Sequence, residues 1–366
     1  MMRSDQARNV RTTKLRGTDK VETDVFGVLE IISFVGGVAA GLITNALWDM
    51  RSAIRRRLTR LVEGRVQRER FEPSSIGLYP INRWSVGRPV ERHQVRMTVQ
   101  RERPRQAWLD TEEWQRLARE FSRSASGEIA YLVGFSIDHR ESRDGETFTY
   151  SVAPCDFSEH LATAKYLEDH PETVQEIRSA LEAGHIAELA RTAPPGLIKV
   201  NVAILSSSNR FLAIQRSGAV HSKRGLWTVG PNETMRLARG AVPGSRPEDI
   251  FELGERCLRE EIGFEPSDYE RLTISWMGYE ASSVSVKVFA QAYTSLPEAR
   301  IDESLDAAHG VFEIQRSAWI PFTRRVLADI TENWRSGDSE GRVWSSSAPF
   351  ALHELRRMRA MLRGVS

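Results

Sequence analysis

The chain has 366 residues, 40% apolar and 27% charged, which excludes a disordered, collagen-like or multi-span membrane protein. Lys and Arg number 51 against 49 Asp and Glu, for a net charge of +2. This near-balance argues against a dedicated nucleic-acid binder, and no direct nucleic-acid contact is expected. The cations comprise 45 Arg and only six Lys. Two cysteines, Cys155 and Cys257, exclude a disulfide framework and a cysteine-rich zinc site, so the folded part is expected in a reducing compartment.

Residues 1–24 form a tail of mixed charge. Val25 to Trp48 then reads VFGVLEIISFVGGVAAGLITNALW, with Glu30 its single charge. As a helix it would be roughly 36 Å long, enough to cross a hydrocarbon core of about 30 Å. A secretory signal fits less well, because a long mixed-charge segment precedes it and no good cleavage site follows. A helix buried in a soluble domain is the other alternative, since the segment is apolar all round. Ser33, Gly37, Gly41 and Asn45 recur every four residues on one face. In lipid such a stripe allows close helix–helix approach, and Ser33 and Asn45 can hydrogen-bond across the contact. One span encloses no pore, so membrane activity would require a homo-oligomer.

Residues 49–72 follow as an Arg-rich juxtamembrane helix. Ile54, Leu58, Leu61 and Val62 form an apolar stripe among Arg51, Arg55, Arg56, Arg57, Arg60, Arg65, Arg68 and Arg70. Such a helix suits an anionic lipid surface, and it fits the positive-inside rule for a single-pass protein with its C-terminal bulk in the cytoplasm, although Arg11, Lys14, Arg16 and Lys20 before the span make the bias slight. Phosphate attraction alone leaves nucleic acid open as the partner of this cluster.

Residues 73–195 read as a mixed α+β region. Val95, Met97 and Val99 alternate as in a half-buried strand, Glu128–Ile137 and Glu146–Ala153 as a hairpin, and Val174 to Leu189 as a helix. Cys155, Asp156 and His160 lie close in sequence, but nucleophile chemistry needs spatial arrangement, and structural roles are expected for them. Ala193-Pro194-Pro195-Gly196 marks a boundary. Beyond it, Leu197–Leu205, Phe211–Gln215, Leu226–Val229, Arg271–Met277 and Val284–Ala292 read as strands. Glu248–Ile262 is a helix ending at Gly263, and helices are also predicted up to about Trp334 and over Phe350–Leu362.

Glu248, Arg256, Leu258, Glu260, Glu261, Gly263 and Phe264 stand at the spacings of G-x5-E-x7-R-E-U-x-E-E-x-G-U, where U is a bulky apolar residue. The pattern resembles the Nudix signature, with two departures: Val242 replaces the opening Gly and Cys257 the first Glu after Arg256. The resemblance implies a Nudix-like α/β/α sandwich with a mixed sheet over residues 196–366. In that family, carboxylates at i, i+3 and i+4 hold divalent ions, here implying Glu260 and Glu261 as metal ligands and magnesium as a possible ion. The thiol of Cys257 is a soft ligand in the third position, which argues against efficient hydrolysis. Glu298, Asp302 and Glu303 are alternative third ligands in the segment before Asp306. Nucleotide contacts are expected from Glu248, Arg256, Glu260 and Glu261. Arg216 could meet a phosphate and Trp227 could stack on a base, against surface and core alternatives of equal weight.

The succession of span, Arg-rich neck, intermediate region and degenerate Nudix-like domain resembles the SMODS-associated Nudix proteins, membrane effectors of cyclic-oligonucleotide-based antiphage signalling. That resemblance implies a sensor of a nucleotide second messenger, a cyclic oligonucleotide, whose binding oligomerises the spans and disrupts the inner membrane. Two other readings stand beside it: a membrane-tethered Nudix hydrolase of a nucleoside diphosphate derivative, and a scaffold that uses the fold without a nucleotide.

Overall fold

From Leu197 to Leu205 the side chains alternate in kind. Ile198, Val200, Val202 and Ile204 share one face, and Lys199, Asn201, Ala203 and Leu205 the other. The structure, a computed structural model, describes residues 78–83, 90–100, 107–124, 127–138, 147–183, 196–218, 220, 223–237 and 248–362. All belong to one compact unit, Val62–Ser366. The expected span Val25–Trp48 with Ser33, Gly37, Gly41 and Asn45, and the Arg-rich segment after it, lie outside the described residues. Among the described residues no helix is long and apolar enough to cross a membrane.

The strands are β1 (Leu78–Arg83), β2 (Val95–Val99), β3 (Glu128–Asp138), β4 (Thr147–Asp156), β5 (Gly196–Ser206), β6 (Arg210–Arg216), β7 (Trp227–Val229), β8 (Asn232–Thr234), β9 (Arg271–Glu280), β10 (Ser285–Thr294) and β11 (Ile314–Pro321). They form one mixed sheet in the order β1-β9-β10-β5-β3-β4-β2, with β8 pairing β5 and with β6 pairing β5, β7 and β11. Strand β5 is the hub. It runs parallel to β10 from Leu197↔Ser285 to Ser206↔Thr294. Its other edge is shared by β3, β8 and β6.

The helices are α1 (Glu112–Phe121), α2 (Phe157–Asp169), α3 (Pro171–Glu182), α4 (Ile250–Ile262), α5 (Glu298–Ala307), α6 (Arg324–Asn333) and α7 (Ala348–Leu362). Ile198, Val200, Val202 and Ile204 share a core with Leu253, Cys257, Leu258 and Ile262 of α4. Ala203 and Leu205 share a second core with Leu327 and Ile330 of α6 and Phe350, Leu352 and Leu355 of α7. Helices therefore cover both faces of a mixed sheet, the layered α/β arrangement expected from the sequence.

The division expected at residue 195 falls inside this sheet. Strand β1 pairs with β9, Leu78↔Glu280 to Arg83↔Trp276, while β3 meets β5 at Tyr131↔Leu197 and Leu132↔Gly196. The segment with Glu298, Asp302 and Glu303 lies in α5, and Ile314–Pro321 forms one continuous strand, β11.

Helix α4 starts where its sequence says it should. Asp249 is its N-cap, accepting from Phe251 N and Glu252 N at 2.8 Å each, and the Glu252 side chain returns to Asp249 N at 3.0 Å. This reciprocal box satisfies donors that the first helical turn leaves unpaired. Gly263 closes the helix at φ 76°, a left-handed conformation that costs a residue with a Cβ. Asp249→Ala is expected to lower unfolding free energy by about 1 kcal/mol. Denaturant titration of the full chain should show that loss, and an unchanged midpoint would mean the cap contributes nothing.

Candidate functional site

The signature residues of α4 build a buried guanidinium. Arg256 is 8% exposed. Its Nε donates to Glu248 Oε1 at 2.6 Å and its Nη2 to Glu248 Oε2 at 3.0 Å and Thr234 O at 2.8 Å. Nη1 lies 3.4 Å from both Glu233 and Glu260. Burial alone would lower its pKa, but these three carboxylates raise it above the usual arginine range. Arg256 thus ties the segment before α4, strand β8 and the body of α4 together. Glu260 is further held by Arg236 at 2.8 Å.

Cys257 and Glu261 occupy the next turn. Cys257 is wholly buried in the α4 core, and burial together with Glu233 and Glu261 pushes its thiol pKa well up. It is a protonated core thiol and not a metal ligand, which corrects the idea of a soft third ligand. Glu261 is 7% exposed. Burial, then Glu313 and Glu233, raise its pKa to about 8. Its carboxylate packs on Gly310, where any Cβ would collide with both oxygens. Gly310 N donates to Glu260 O at 2.7 Å, and this brings the α5–β11 connection, with Glu313, against the end of α4.

A divalent hard cation needs several oxygen ligands that converge on one point. Glu248 and Glu260 instead point at Arg256 and Arg236, and Glu313 at Arg216, 3.2 Å away. Among the described residues no group of three or more His, Cys, Asp or Glu is arranged to hold a metal ion. Glu260 and Glu261, expected as a metal pair, take separate partners, so the residues present do not fit magnesium. The alternative ligands are engaged as well. Glu298 accepts from Ser206 and Arg210, Asp302 from Trp319 Nε1, and Glu303 from Arg300.

On the opposite face of β5 lies a small cavity of about 20 Å³, lined by Lys199, Lys223, Lys287, Arg216, Asn201 and Thr228 among others. Lys199 and Lys287 are direct neighbours in the parallel register of β5 and β10. Like charges side by side on one face are ordinarily unfavourable. Glu280, fully buried, answers them: it accepts from Lys223 at 2.9 Å and from Ser346 at 3.1 Å, and stands 3.5 Å from Lys287. Burial would raise the pKa of Glu280, but Lys223, Lys287 and the Ser283 hydroxyl hold it well below the usual range. Burial lowers the Lys199 pKa to about 8, helped by Lys223 and opposed by Glu280. Lys287 is lowered to about 7 by burial and by the other cations, against the pull of Glu280.

The sequence-predicted residues therefore divide. Glu248, Arg256, Glu260 and Glu261 come together around α4. Arg216 does line the cavity, and through Glu313 it joins that cavity to the α4 group. Trp227 does not stack on anything that could enter. It is 8% exposed and packs in the core against Trp344, ring centroids 6.2 Å apart. Cys155 donates to Glu159 at 2.9 Å, Asp156 caps α2, and His160 is buried with its pKa well lowered by burial and by Lys199 and Lys287. Sequence reasoning missed Lys199, Lys223, Lys287, Glu280, Glu233 and Glu313. A signal existed for three of them: three of the six lysines in the chain converge here, and Lys199 and Lys287 are the one charged residue in each of two mainly apolar strands.

No family model matches the chain, and no curated protein matches it. Among solved structures it resembles a MutT Nudix hydrolase from Burkholderia pseudomallei, at 15% identity over 44% of this chain and 98% of that one, with a TM-score of 0.28. It also resembles the Nudix domain of Shewanella oneidensis NrtR complexed with ADP-ribose, at 17% identity over 49% and 97%, TM-score 0.25. A third is a C. elegans Ap4A hydrolase, at 18% identity over 45% and 98%, TM-score 0.28. Likeness at these TM-scores assigns neither family nor ligand, so the reading below rests on this chain's own residues.

The raised Glu261 pKa has a consequence for stability. Between its ordinary value of 4.5 and about 8 the folded chain keeps a proton that the unfolded chain releases, so this group makes stability fall as pH rises through that window. Glu261→Gln removes the penalty. The thermal midpoint of the variant relative to the parent is expected to rise steadily between pH 5 and pH 8, and a pH-independent difference would contradict the protonated carboxyl.

Proposed function

We propose that this chain is a nucleotide-responsive protein whose site binds a phosphorylated nucleotide derivative and hydrolyses it poorly. The observation that carries this reading is the pairing of a cation-lined cavity with a signature helix that has lost its metal chemistry. Cys257 is shut in the core and the surrounding carboxylates are engaged by Arg216, Arg236 and Arg256. Binding needs the cations and does not need the missing ligand. Phe312, 65% exposed and next to Glu313, offers the aromatic surface that Trp227 does not.

The finer part of the proposal comes from the sequence. The segment Val25–Trp48 would anchor the chain in the inner membrane with its C-terminal part cytoplasmic. Homo-oligomers would pack along Ser33, Gly37, Gly41 and Asn45, and ligand binding would drive that association to disrupt the membrane as an antiviral response. The resemblance to SMODS-associated Nudix proteins makes the second messenger a cyclic oligonucleotide from a partner nucleotidyltransferase. A membrane-tethered hydrolase is the second reading, favoured by the closeness of Glu261 to Glu313 on the α5–β11 connection.

Full-length protein in detergent is expected to bind ADP-ribose or ADP with little magnesium-dependent turnover. Turnover at about 1 per second or faster, an ordinary enzyme rate, would favour the hydrolase. Cys257→Glu adds a carboxylate beside Glu233, Glu260 and Glu261. Its thermal midpoint should drop in chelator and recover with magnesium, whereas the parent midpoint should ignore magnesium. A magnesium-dependent parent would reverse the reading of the site. The membrane part has its own check: the chain should stay in the pellet after carbonate extraction, and release into the wash would remove the spanning helix.

A further inference from the structure

The lysine cavity carries donors and positive charge that the fold itself does not use. Lys199 Nζ has no hydrogen-bond or ion-pair partner among the described residues, and Arg216 Nε is buried without an acceptor. Among the described residues Lys287 has Glu280 alone, at 3.5 Å, while Glu280 is already shared with Lys223, Ser283 and Ser346. Lys199, Lys223, Lys287 and Arg216 supply four positive charges when all are protonated. Glu280 and Glu313 supply two negative ones, which leaves a surplus of two. None of the residues lining the cavity is aromatic, so nothing in its lining offers a base a stacking surface.

Partnerless donors around a surplus of two charges call for a compact, acceptor-rich dianion. We propose that this cavity is a subsite for a terminal phosphate, as in a phosphomonoester or the end of a diphosphate, held by Lys199, Lys223, Lys287 and Arg216. The proposal rests on the phosphorylated-nucleotide reading above and departs from its cyclic-oligonucleotide part, because a closed ring has no terminal phosphate. A terminal phosphate carries close to two charges at neutral pH and cancels the surplus, whereas each phosphodiester of a closed ring carries one and leaves half of it. The lysine identities fit this role, because an ammonium can give up its proton when the cavity is empty and an arginine cannot.

Binding is therefore coupled to proton uptake. The groups facing Lys287 are Glu280 on β9, Lys199 on β5, Arg216 on β6, Lys223 before β7, and His160 on α2, which stays neutral beside the two strand lysines. Of these, Lys199 and Lys287 titrate near neutrality in the empty cavity, at about 8 and about 7. A dianion favours the protonated form of both, so affinity falls as pH rises through that range.

Isothermal titration of the full-length protein in detergent with AMP, ADP, inorganic pyrophosphate, adenosine and cyclic di-AMP tests this, at pH 6.5 and pH 8.5. AMP and ADP are expected to bind at least tenfold more tightly than cyclic di-AMP, with affinity several-fold weaker at pH 8.5 and adenosine not measurable. Lys199→Met or Lys199→Gln, checked for an unchanged thermal midpoint, should lose at least tenfold for ADP, while Lys165→Met on the surface of α2 should lose nothing. Cyclic di-AMP binding as tightly as ADP would overturn the subsite without using any variant. So would ADP binding that is indifferent to both Lys199 variants, and in either case the nucleotide reading would stand. Pyrophosphate binding as tightly as ADP, with the same Lys199 dependence, would keep the subsite and remove the nucleotide reading. If none of the five binds, both fall.

Discussion

Strand β5 is hydrogen-bonded along both edges and covered on both faces, and that confinement governs everything built on it. A strand so placed has no solvated side on which to hide a charge, so a Lys at position 199 is affordable only beside a compensating group. Glu280 at the end of β9 is that group for the whole lysine set, fully buried and reached by Lys223 and Lys287. The opposite face of the same strand is uniformly apolar and seats α4. One alternating run of residues thus separates a hydrophobic bearing surface from an ionic chamber with a single sheet thickness between them.

Two charged networks result, and they differ in how complete they are. Around α4, each of three guanidiniums meets at least one carboxylate, with Glu248, Glu233 and Glu260 against Arg256, Glu260 also against Arg236, and Glu313 against Arg216. The buried member of this set is Arg256, and breaking that residue's pairs with Glu233 and Glu248 would cost about 3–5 kcal/mol. The cavity beyond Arg216 is the unmatched one. Arg216, through its ion pair with Glu313, joins the two networks.

Much of this was legible in the sequence, and the remainder was hidden for identifiable reasons. The seven spaced signature residues, Gly263 among them, located α4 to within two residues, because left-handed closure is local. Strands β3, β5, β6, β9 and β10 were readable from apolar runs. Strand β8 was not, since Asn232, Glu233 and Thr234 carry no strand pattern and are held in place by pairing with β5. The metal expectation turns on direction: Glu260 and Glu261 are consecutive on the last turn of α4, but Arg236 and Gly310 decide where each carboxylate goes. Trp227 is a core residue because Trp344, more than a hundred positions later, covers it. The lysine cavity depended on register between strands far apart in sequence, which composition could hint at and spacing could not fix.

The placement of β1 has a kinetic side. Leu78 finds its partner at Glu280, some two hundred residues downstream, while β3 must wait for β5. Loop-closure entropy of that order is met before any pairing rewards it, so the sheet belongs to the slow, high-contact-order class. On the ribosome, β1 would remain an unpaired edge until β9 had been synthesised, roughly ten seconds or more later at ordinary elongation rates. Throughout that interval the growing chain exposes a ready template for misplaced strands. The protein is therefore expected to depend on chaperone protection during synthesis more than its modest size would suggest, and to refold from denaturant far more slowly than a helical protein of equal length.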